Sequence, residues 1–307
     1  PFDRSAGPDG ELEDRRRTNP VRRPRNRSRQ RLQLVDLLPW HVVDRDTRAF
    51  ELGRGPDGQW WVLGDRTQAP SGAGFALENR VATTRALSDI YGEMHVHRLA
   101  GFFRRFRDAL IGMARESEGR VAILTPGPLN ETYYEHAYIA RYLGIMLLEG
   151  EDLTVSGGRL MVRTVSGLMP ISVLWRRLDA AFADPLELRS DSQIGTPGLV
   201  EAIRQGAVAT VNALGSGLME TRALLAFLPK IARELRGEEL LLPSVATWWC
   251  GQATERAHVL ANIDRMVVGP ALSTRLAFED DGQTTLGSAL SAGERAELVA
   301  RIERDGG

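Results

Sequence analysis

Lysine is almost missing from this chain of 307 residues: of its 39 basic residues only Lys230 is a lysine, and the rest are arginine. A mechanism that needs an ammonium group therefore has a single candidate, whereas guanidinium groups are plentiful. Cysteine is equally scarce. Cys250 stands alone, which excludes an internal disulfide and makes a cytoplasmic location the default expectation. No apolar run approaches the ~20 residues that span a bilayer, and no signal-peptide pattern is present. An excess of one charge is also lacking. A net charge of −1 gives no whole-chain field that would select nucleic acid or a membrane surface. No methionine precedes Met94, so the chain is expected to be processed, trimmed or a fragment.

What is present is ordinary globular composition, 43% hydrophobic and 26% charged, enough for one large core or two modest ones. Residues 1–33 depart from it. They are poor in apolar side chains, and Arg15 to Arg31 contains no acid. Such a segment buries too little surface to offset its ordering entropy, so a disordered Arg-rich tail is expected. The other reading is an electrostatic arm for a polyanion.

The rest reads as alternating elements of an α/β domain. Ala49 to Leu52 and Trp60 to Leu63 flank a Pro-Asp-Gly turn and predict a hairpin. Its second strand runs into the polar stretch Gly64 to Gly74. Helical spacing marks Phe75 to Tyr91 and Leu99 to Ala114. His95 and His97 lie between these and lack a nearby third metal ligand. Arg120 to Thr125 is a buried-strand pattern, followed by a Pro-Gly-Pro turn and a helix from Glu131 to Leu143 with Asn130 as its N-cap. Glu135 and His136 lie one turn into that helix, either as an acid/base pair or as a locally satisfied pair. Leu153 to Val155 and Leu160 to Val162 form a hairpin through Gly157 and Gly158.

The stretch from Ile171 to Gly217 is the centre of the pattern. An apolar strand, Ile171 to Trp175, reaches Arg176-Arg-Leu-Asp179. A helix from Pro197 to Gln205 follows, then a strand from Ala207 to Asn212 that ends in Leu214-Gly-Ser-Gly217. Strand ends that gather Arg, Asp, Asn and a small-residue turn suit phosphate chemistry. Met219 to Leu235 predicts one long amphipathic helix. Trp248 and Trp249 either stack a base or fill core. Cys250 has no activating base close in sequence and reads as an inert thiol. Arg265 to Val268 predicts a strand, and Ser291 with Glu294 predicts a capping box for a final helix.

The chain resembles the circularly permuted ATP-grasp family, as in the synthetase half of glutathionylspermidine synthase. The stretches that carry the resemblance are Asp57-Gly-Gln-Trp-Trp-Val-Leu-Gly-Asp65 with its continuation to Gly74, Leu77-Glu-Asn-Arg80, Tyr134-Glu-His-Ala137, Leu148-Glu-Gly150 and Arg176-Arg-Leu-Asp179. Asp184-Pro-Leu-Glu-Leu-Arg189, Gly195-Thr-Pro-Gly-Leu199, Asn212-Ala-Leu-Gly-Ser-Gly217 and Gly237 to Cys250 follow in order. Together they cover about Phe50 to Glu303.

The resemblance implies a mixed α/β, circularly permuted ATP-grasp-like fold with a Rossmann-like pre-ATP-grasp subdomain and an incomplete grasp. It implies a hairpin-and-helix part over 34–118 and an α/β substrate and nucleotide part over 119–307. The implied activity is an ATP- and Mg²⁺-dependent carboxylate–amine ligase, forming peptide or amide bonds through an acyl phosphate from small-molecule or peptide substrates. The alternative is a non-catalytic relative that serves as a binding or partner protein. Among site residues the resemblance implies Asp65 for metal and Arg66, Arg177 and Asp179 for catalysis. It implies Glu78, Asn79, Arg80, Asn130, Glu135 and His136 for substrate, and Asn212, Gly215, Ser216 and Gly217 for nucleotide. Where the family commonly has a phosphate-gripping lysine this chain has Gly269, and Gly269→Lys discriminates the readings: a sharp rise in nucleotide affinity marks the missing charge as the defect. Gly64 and Arg66 stand where catalytic members carry an acid and an Asn, and Ala180 and Ala181 where more acids are usual.

Overall fold

The computed structural model describes residues 32–35, 49–114, 119–275 and 283–305. Most of the expected Arg-rich tail, with its arm reading, lies outside the described residues, although a strand already begins at Leu32.

In chain order the strands and helices are β1 (Leu32–Val35), β2 (Ala49–Arg54), β3 (Trp60–Arg66), α1 (Ala73–Ala86), α2 (Ser88–Glu93) and α3 (Ala100–Ala114). Then come β4 (Arg120–Leu124), α4 (Tyr133–Leu143), β5 (Met146–Leu148), β6 (Leu153–Ser156), β7 (Arg159–Thr164) and β8 (Gly167–Arg176). The remainder is α5 (Leu199–Arg204), β9 (Ala209–Val211), α6 (Arg222–Leu225), α7 (Leu228–Arg236), α8 (Ala253–Ala261), β10 (Val267–Val268), β11 (Thr285–Leu286) and α9 (Ala292–Asp305).

One strand organises the centre. The second half of β8 pairs in parallel with β4 on one side and with β9 on the other, and β4 pairs in parallel with β5. This gives a parallel sheet in the order β5-β4-β8-β9. The first half of β8 instead turns back antiparallel onto the β6–β7 hairpin. The hairpin turns through Gly157 and Gly158, both at positive φ, as a tight two-residue turn requires.

Parallel strands are buried on both faces, and their sequences read as continuous apolar runs. Accordingly Val121, Ile123, Val173 and Trp175 pack with Leu77, Phe103, Leu110 and Ile139 of α1, α3 and α4. On the other face Ala122, Leu124 and Leu174 pack with Leu153 and Leu160 of the hairpin and Leu199 of α5. Helices from before residue 118 thus share a core with strands after it. A three-stranded antiparallel sheet, β1-β2-β3, lies outside this body. A small third cluster forms around Ile263, Leu298 and Ile302. Among the described residues no helix is long and apolar enough to cross a membrane.

Several elements differ from the sequence expectation. The helix expected over Met219 to Leu235 is broken into a short turn, α6 and α7. Pro229 sits in the first turn of α7, where its missing N–H is harmless; inside a longer helix it would clash with the preceding turn. The helix expected over Phe75 to Tyr91 breaks at Leu87. There the Thr84 hydroxyl donates to the Arg80 carbonyl at 2.7 Å, a back-bond that competes with the helix. The strand expected over Arg265 to Val268 shrinks to Val267–Val268. Helix α4 starts at Tyr133 with Thr132 as N-cap; Asn130 instead accepts the Thr132 N–H and hydroxyl in a local turn. The capping box at Ser291 and Glu294 forms as expected.

Candidate functional site at the carboxyl edge of the parallel sheet

In an open parallel sheet, ligands bind outside the carboxyl ends of the strands where the strand order reverses. Here the chain leaves β4 toward β5 and later returns on the other side of β4 as β8, so the reversal lies between β4 and β8. Past β4 come Thr125 and a turn at Gly127, past β8 Arg177, and past β9 Asn212, which has φ 64. The backbone N–H of Arg177 donates to the Leu124 carbonyl at 2.8 Å, which seats Arg177 at the reversal.

The two adjacent arginines have opposite surroundings. Arg176 is buried, and its guanidinium donates to the carbonyls of Asn212 (2.9 Å), Ala213 (3.1 Å) and Leu178. Its charge is housed by dipoles of the neighbouring turns, the condition for burying a cation. Arg177 follows on the α4 side. Its guanidinium lies over the Trp175 ring at 5.2 Å and 3.8 Å from Glu135 Oε1. Its Nε and Nη1 are buried without a hydrogen-bond partner. Burial pushes the Arg177 pKa down to about 10, and the nearby Arg176 adds to this against the opposing pull of Glu135.

Glu135 and His136 are both fully buried, at 0% and 2% exposure, and both bind locally. Glu135 accepts the Gly72 N–H at 2.7 Å and the Gly74 N–H at 3.4 Å, fixing the turn that begins α1. Gly74 is required there, because a Cβ would stand 2.7 Å from Glu135 Cγ. His136 has Thr125 Oγ1 at 2.9 Å from Nδ1 and Thr132 Oγ1 at 3.2 Å from Nε2. Burial, reinforced by the Arg177 charge, lowers its pKa to about 3. A histidine so held is neutral at physiological pH.

A second group of contacts ties the hairpin to this edge. Asn212 Nδ2 donates to the Thr67 carbonyl at 2.6 Å, and Trp175 Nε1 donates to Asn212 Oδ1 at 3.2 Å. The Ser216 hydroxyl donates to the same Thr67 carbonyl at 3.0 Å, while the Thr67 hydroxyl donates to the Ser216 carbonyl at 2.6 Å. Glu220 Oε1 accepts the backbone N–H groups of Thr67 (2.5 Å) and Gln68 (2.7 Å). Gln68 Oε1 in turn accepts the Ala180 N–H just past β8 at 3.0 Å. Gly217 lies where a Cβ would come 2.7 Å from Gln68. The ends of β3, β8 and β9 are therefore one connected edge.

The remaining expected site residues divide. Asp65 and Arg66 end β3, beside Thr67. Arg66 Nε donates to Glu51 Oε1 at 2.7 Å and Nη1 to the Thr274 carbonyl at 3.0 Å. Gly215 opens the short turn that carries Ser216 and Gly217. Asp179, two residues past Arg177, is exposed, as are Asn79 and Asn130. Burial, and then the hydrogen bond with Glu78, raise the Tyr138 phenol of α4 to about 12. Arg80 reaches the His97 carbonyl at 2.6 Å. Glu78, Asn79 and Arg80 thus fan out around α1 rather than converging.

At Gly269 a guanidinium is already in place. A Cβ built there would lie 2.1 Å from Arg222 Nη1 and 2.9 Å from Thr284 Oγ1, and Arg222 Nη1 donates to that hydroxyl at 2.8 Å.

Sequence reading missed Glu51, Thr67, Gln68, Glu220 and Arg222. Thr67 and Gln68 lay inside a matching stretch, but neutral polar groups after a strand give no sign of which backbone they will bind. Glu220 and Arg222 fell inside the helix that the structure breaks. Among the described residues no group of three or more His, Cys, Asp or Glu is placed to hold a metal ion.

The family model for circularly permuted ATP-grasp type 2 matches residues 29–307. The uncharacterized protein Rv2567 of Mycobacterium tuberculosis is 40% identical over 257 residues, which cover 83% of this chain and 28% of that relative. The uncharacterized protein sll0335 of Synechocystis is 35% identical over 258 residues, 83% of this chain and 52% of the relative. A second M. tuberculosis protein, Rv2411c, is 33% identical over 240 residues, covering 78% and 44%. The chain therefore spans between about a quarter and a half of the length of these relatives. Its mixed α/β architecture is consistent with an ATP-grasp-like fold, and the chain belongs to the circularly permuted ATP-grasp type 2 family.

Proposed function

We propose that this chain is part of an ATP-dependent carboxylate–amine ligase and supplies the edge at which the carboxylate is held. The observation that carries the reading is the wiring of Thr67 to Asn212, Ser216 and Glu220. It ties the end of β3, which carries Asp65 and Arg66, to the turn past β9, beside β8, and the reading takes Asp65, Arg66 and Arg177 as one set, an acid and two cations. ATP with Mg²⁺ would supply a phosphoryl group that makes the carboxylate a good electrophile, so that an amine can displace phosphate.

The fit to that nucleotide is partial. Arg66 and Arg222 are cations suited to phosphate, and Asp65 is a single carboxylate of the kind Mg²⁺ accepts alongside waters. Against this, Asn212 and Ser216 are bonded to Thr67, so their donors stabilise the edge. What this chain's own residues contribute is therefore orientation. Glu51 fixes Arg66, Trp175 and Glu135 fix Arg177, and Glu220 fixes the strand end between them.

Titration of the chain with ATP in the presence of Mg²⁺, with ADP release followed in parallel, tests the reading. We expect saturable binding within the ~1 μM–1 mM span usual for substrates, with little ADP release by the chain alone. No binding at millimolar ATP would overturn it.

A second reading, a relative that binds without turnover, rests on the missing lysine at Gly269, and Arg222 standing over Gly269 counts against it. If a cation is already supplied there, Gly269→Lys displaces Arg222 and gains no nucleotide affinity. Gly269→Lys combined with Arg222→Ala removes the clash. A tenfold affinity gain in the single variant would show instead that the charge was missing.

A further inference from the structure

The geometry points to Arg177 as the receptor for a carboxylate group, entering the crevice between the ends of β4 and β8. This deepens the ligase reading, which supplies the expectation that a carboxylate is bound at all.

Three observations converge on it. First, Arg177 is 4% exposed, yet Nε and Nη1 have no acceptor. Buried guanidinium donors are ordinarily satisfied, because leaving them bare forfeits their hydration without return. Its ion-pair partner does not answer the need, since Glu135 Oε1 lies 3.8 Å away from Nη2, beyond hydrogen-bond length. Nor is Glu135 at liberty to close the gap, because the Gly72 and Gly74 amides hold it. Second, Glu135 is the buried carboxylate that ion-pairs with Arg177; the other buried carboxylates, Glu51 and Asp184, accept from Arg66 and from the Leu186, Gly198 and Val200 amides. Arg176 donates to three carbonyls, whereas Arg177 faces Glu135 at 3.8 Å and the Trp175 ring at 5.2 Å. A single guanidinium with bare donors matches a monoanionic carboxylate better than a phosphate dianion, which would bring more charge and more acceptors than those donors satisfy. His136, held neutral between Thr125 and Thr132, adds no further charge. Third, the position is the strand-order reversal, with the Arg177 backbone bonded to the end of β4 and the Trp175 ring beneath the guanidinium. Arg177 is thus fixed in orientation before any ligand arrives.

The test uses acetate, L-glutamate and inorganic phosphate as probes, without ATP. Calorimetry and thermal unfolding should show saturable binding of the carboxylates with a rise in Tm, and phosphate at least tenfold weaker. Arg177→Lys should weaken acetate and glutamate at least tenfold, because one ammonium cannot reproduce two separated donors. Arg159→Met, an exposed arginine on β7, should change nothing. If Arg177→Lys fails to fold, the Nε–H resonances of the unmodified protein decide: acetate should shift one buried arginine signal in a saturable way. No effect of either carboxylate, equal binding of phosphate, or unchanged binding in Arg177→Lys would overturn the assignment. ATP titration of the same samples separates the two ideas. Intact Mg²⁺-dependent ATP binding without carboxylate binding sinks only this subsite, and the reverse sinks only the ligase reading.

Discussion

The parallel-sheet body and the C-terminal third, from Arg222 onward, are built on different terms. In the body both faces of β4 and β8 are covered, and the buried apolar residues form two extended clusters. It can therefore accommodate buried charge at its strand ends: Arg176, Arg177, Glu135 and His136 all lie under 5% exposed. The C-terminal third has three buried residues in its cluster, Ile263, Leu298 and Ile302. Its strands β10 and β11 have two residues each, and α7 buries none. A region with little apolar burial has little with which to offset the desolvation of charge. The candidate chemistry accordingly sits on the body, while the C-terminal third offers exposed or half-exposed partners such as Arg222.

The sharpest contrast should come from Arg176. Arg176→Met keeps much of the side-chain volume but leaves the Asn212, Leu178 and Ala213 carbonyls without their donor. Orphaned buried polar groups cost ~1–3 kcal/mol each, so we expect a loss of about 3 kcal/mol or more, read as a lower denaturant midpoint at constant slope. A loss under about 1 kcal/mol would show that these turns rearrange freely and that the body is no stiffer than the rest.

His136 gives a smaller effect with a definite pH window. Its folded pKa is about 3, lowered first by burial and then by Arg177, against ~6.5 when unfolded. The unfolded state therefore binds the proton first as pH falls. The contribution of neutral His136 is full above pH ~6.5 and declines below it by up to ~1.4 kcal/mol per pH unit until the folded group also protonates. His136→Gln, which keeps polar contacts to Thr125 and Thr132 within reach, should flatten the stability profile between pH 6 and 4 relative to the parent. An unchanged slope there would mean that His136 protonates in place.

The same division governs what the sequence disclosed. The body was legible because two-sided burial writes itself as apolar runs: Val121 to Leu124 and Ile171 to Trp175 are strands, and the Gly157-Gly158 turn is a hairpin. The arginines after β8 could be seen as candidates, since a charge directly following such a run must either leave the core or find partners inside it. Their opposite fates could not, because the partners of Arg176 are backbone carbonyls, and backbone atoms leave no mark in composition. The break of the long helix at Thr221 and Pro229 was missed because Leu224, Leu228, Ile231 and Leu235 keep helical spacing across the proline. With that break went Glu220, whose carboxylate fixes Thr67 and Gln68, and Arg222, whose guanidinium occupies the space over Gly269.

Helix α7 should show the smallest effect. Leu235 is 80% exposed and Leu241, just beyond the helix, is also 80% exposed. Apolar surface that is already in water contributes almost nothing when replaced, so Leu235→Gln should change unfolding free energy by less than about 0.5 kcal/mol. The contrast with Arg176 is then one of surroundings and not of residue type, for the charged residue is the buried one and the leucine the wet one. A loss above about 1 kcal/mol for Leu235→Gln in the isolated chain would mean that α7 is covered in solution. In that case the C-terminal third would draw its stability from an association that the body does not need.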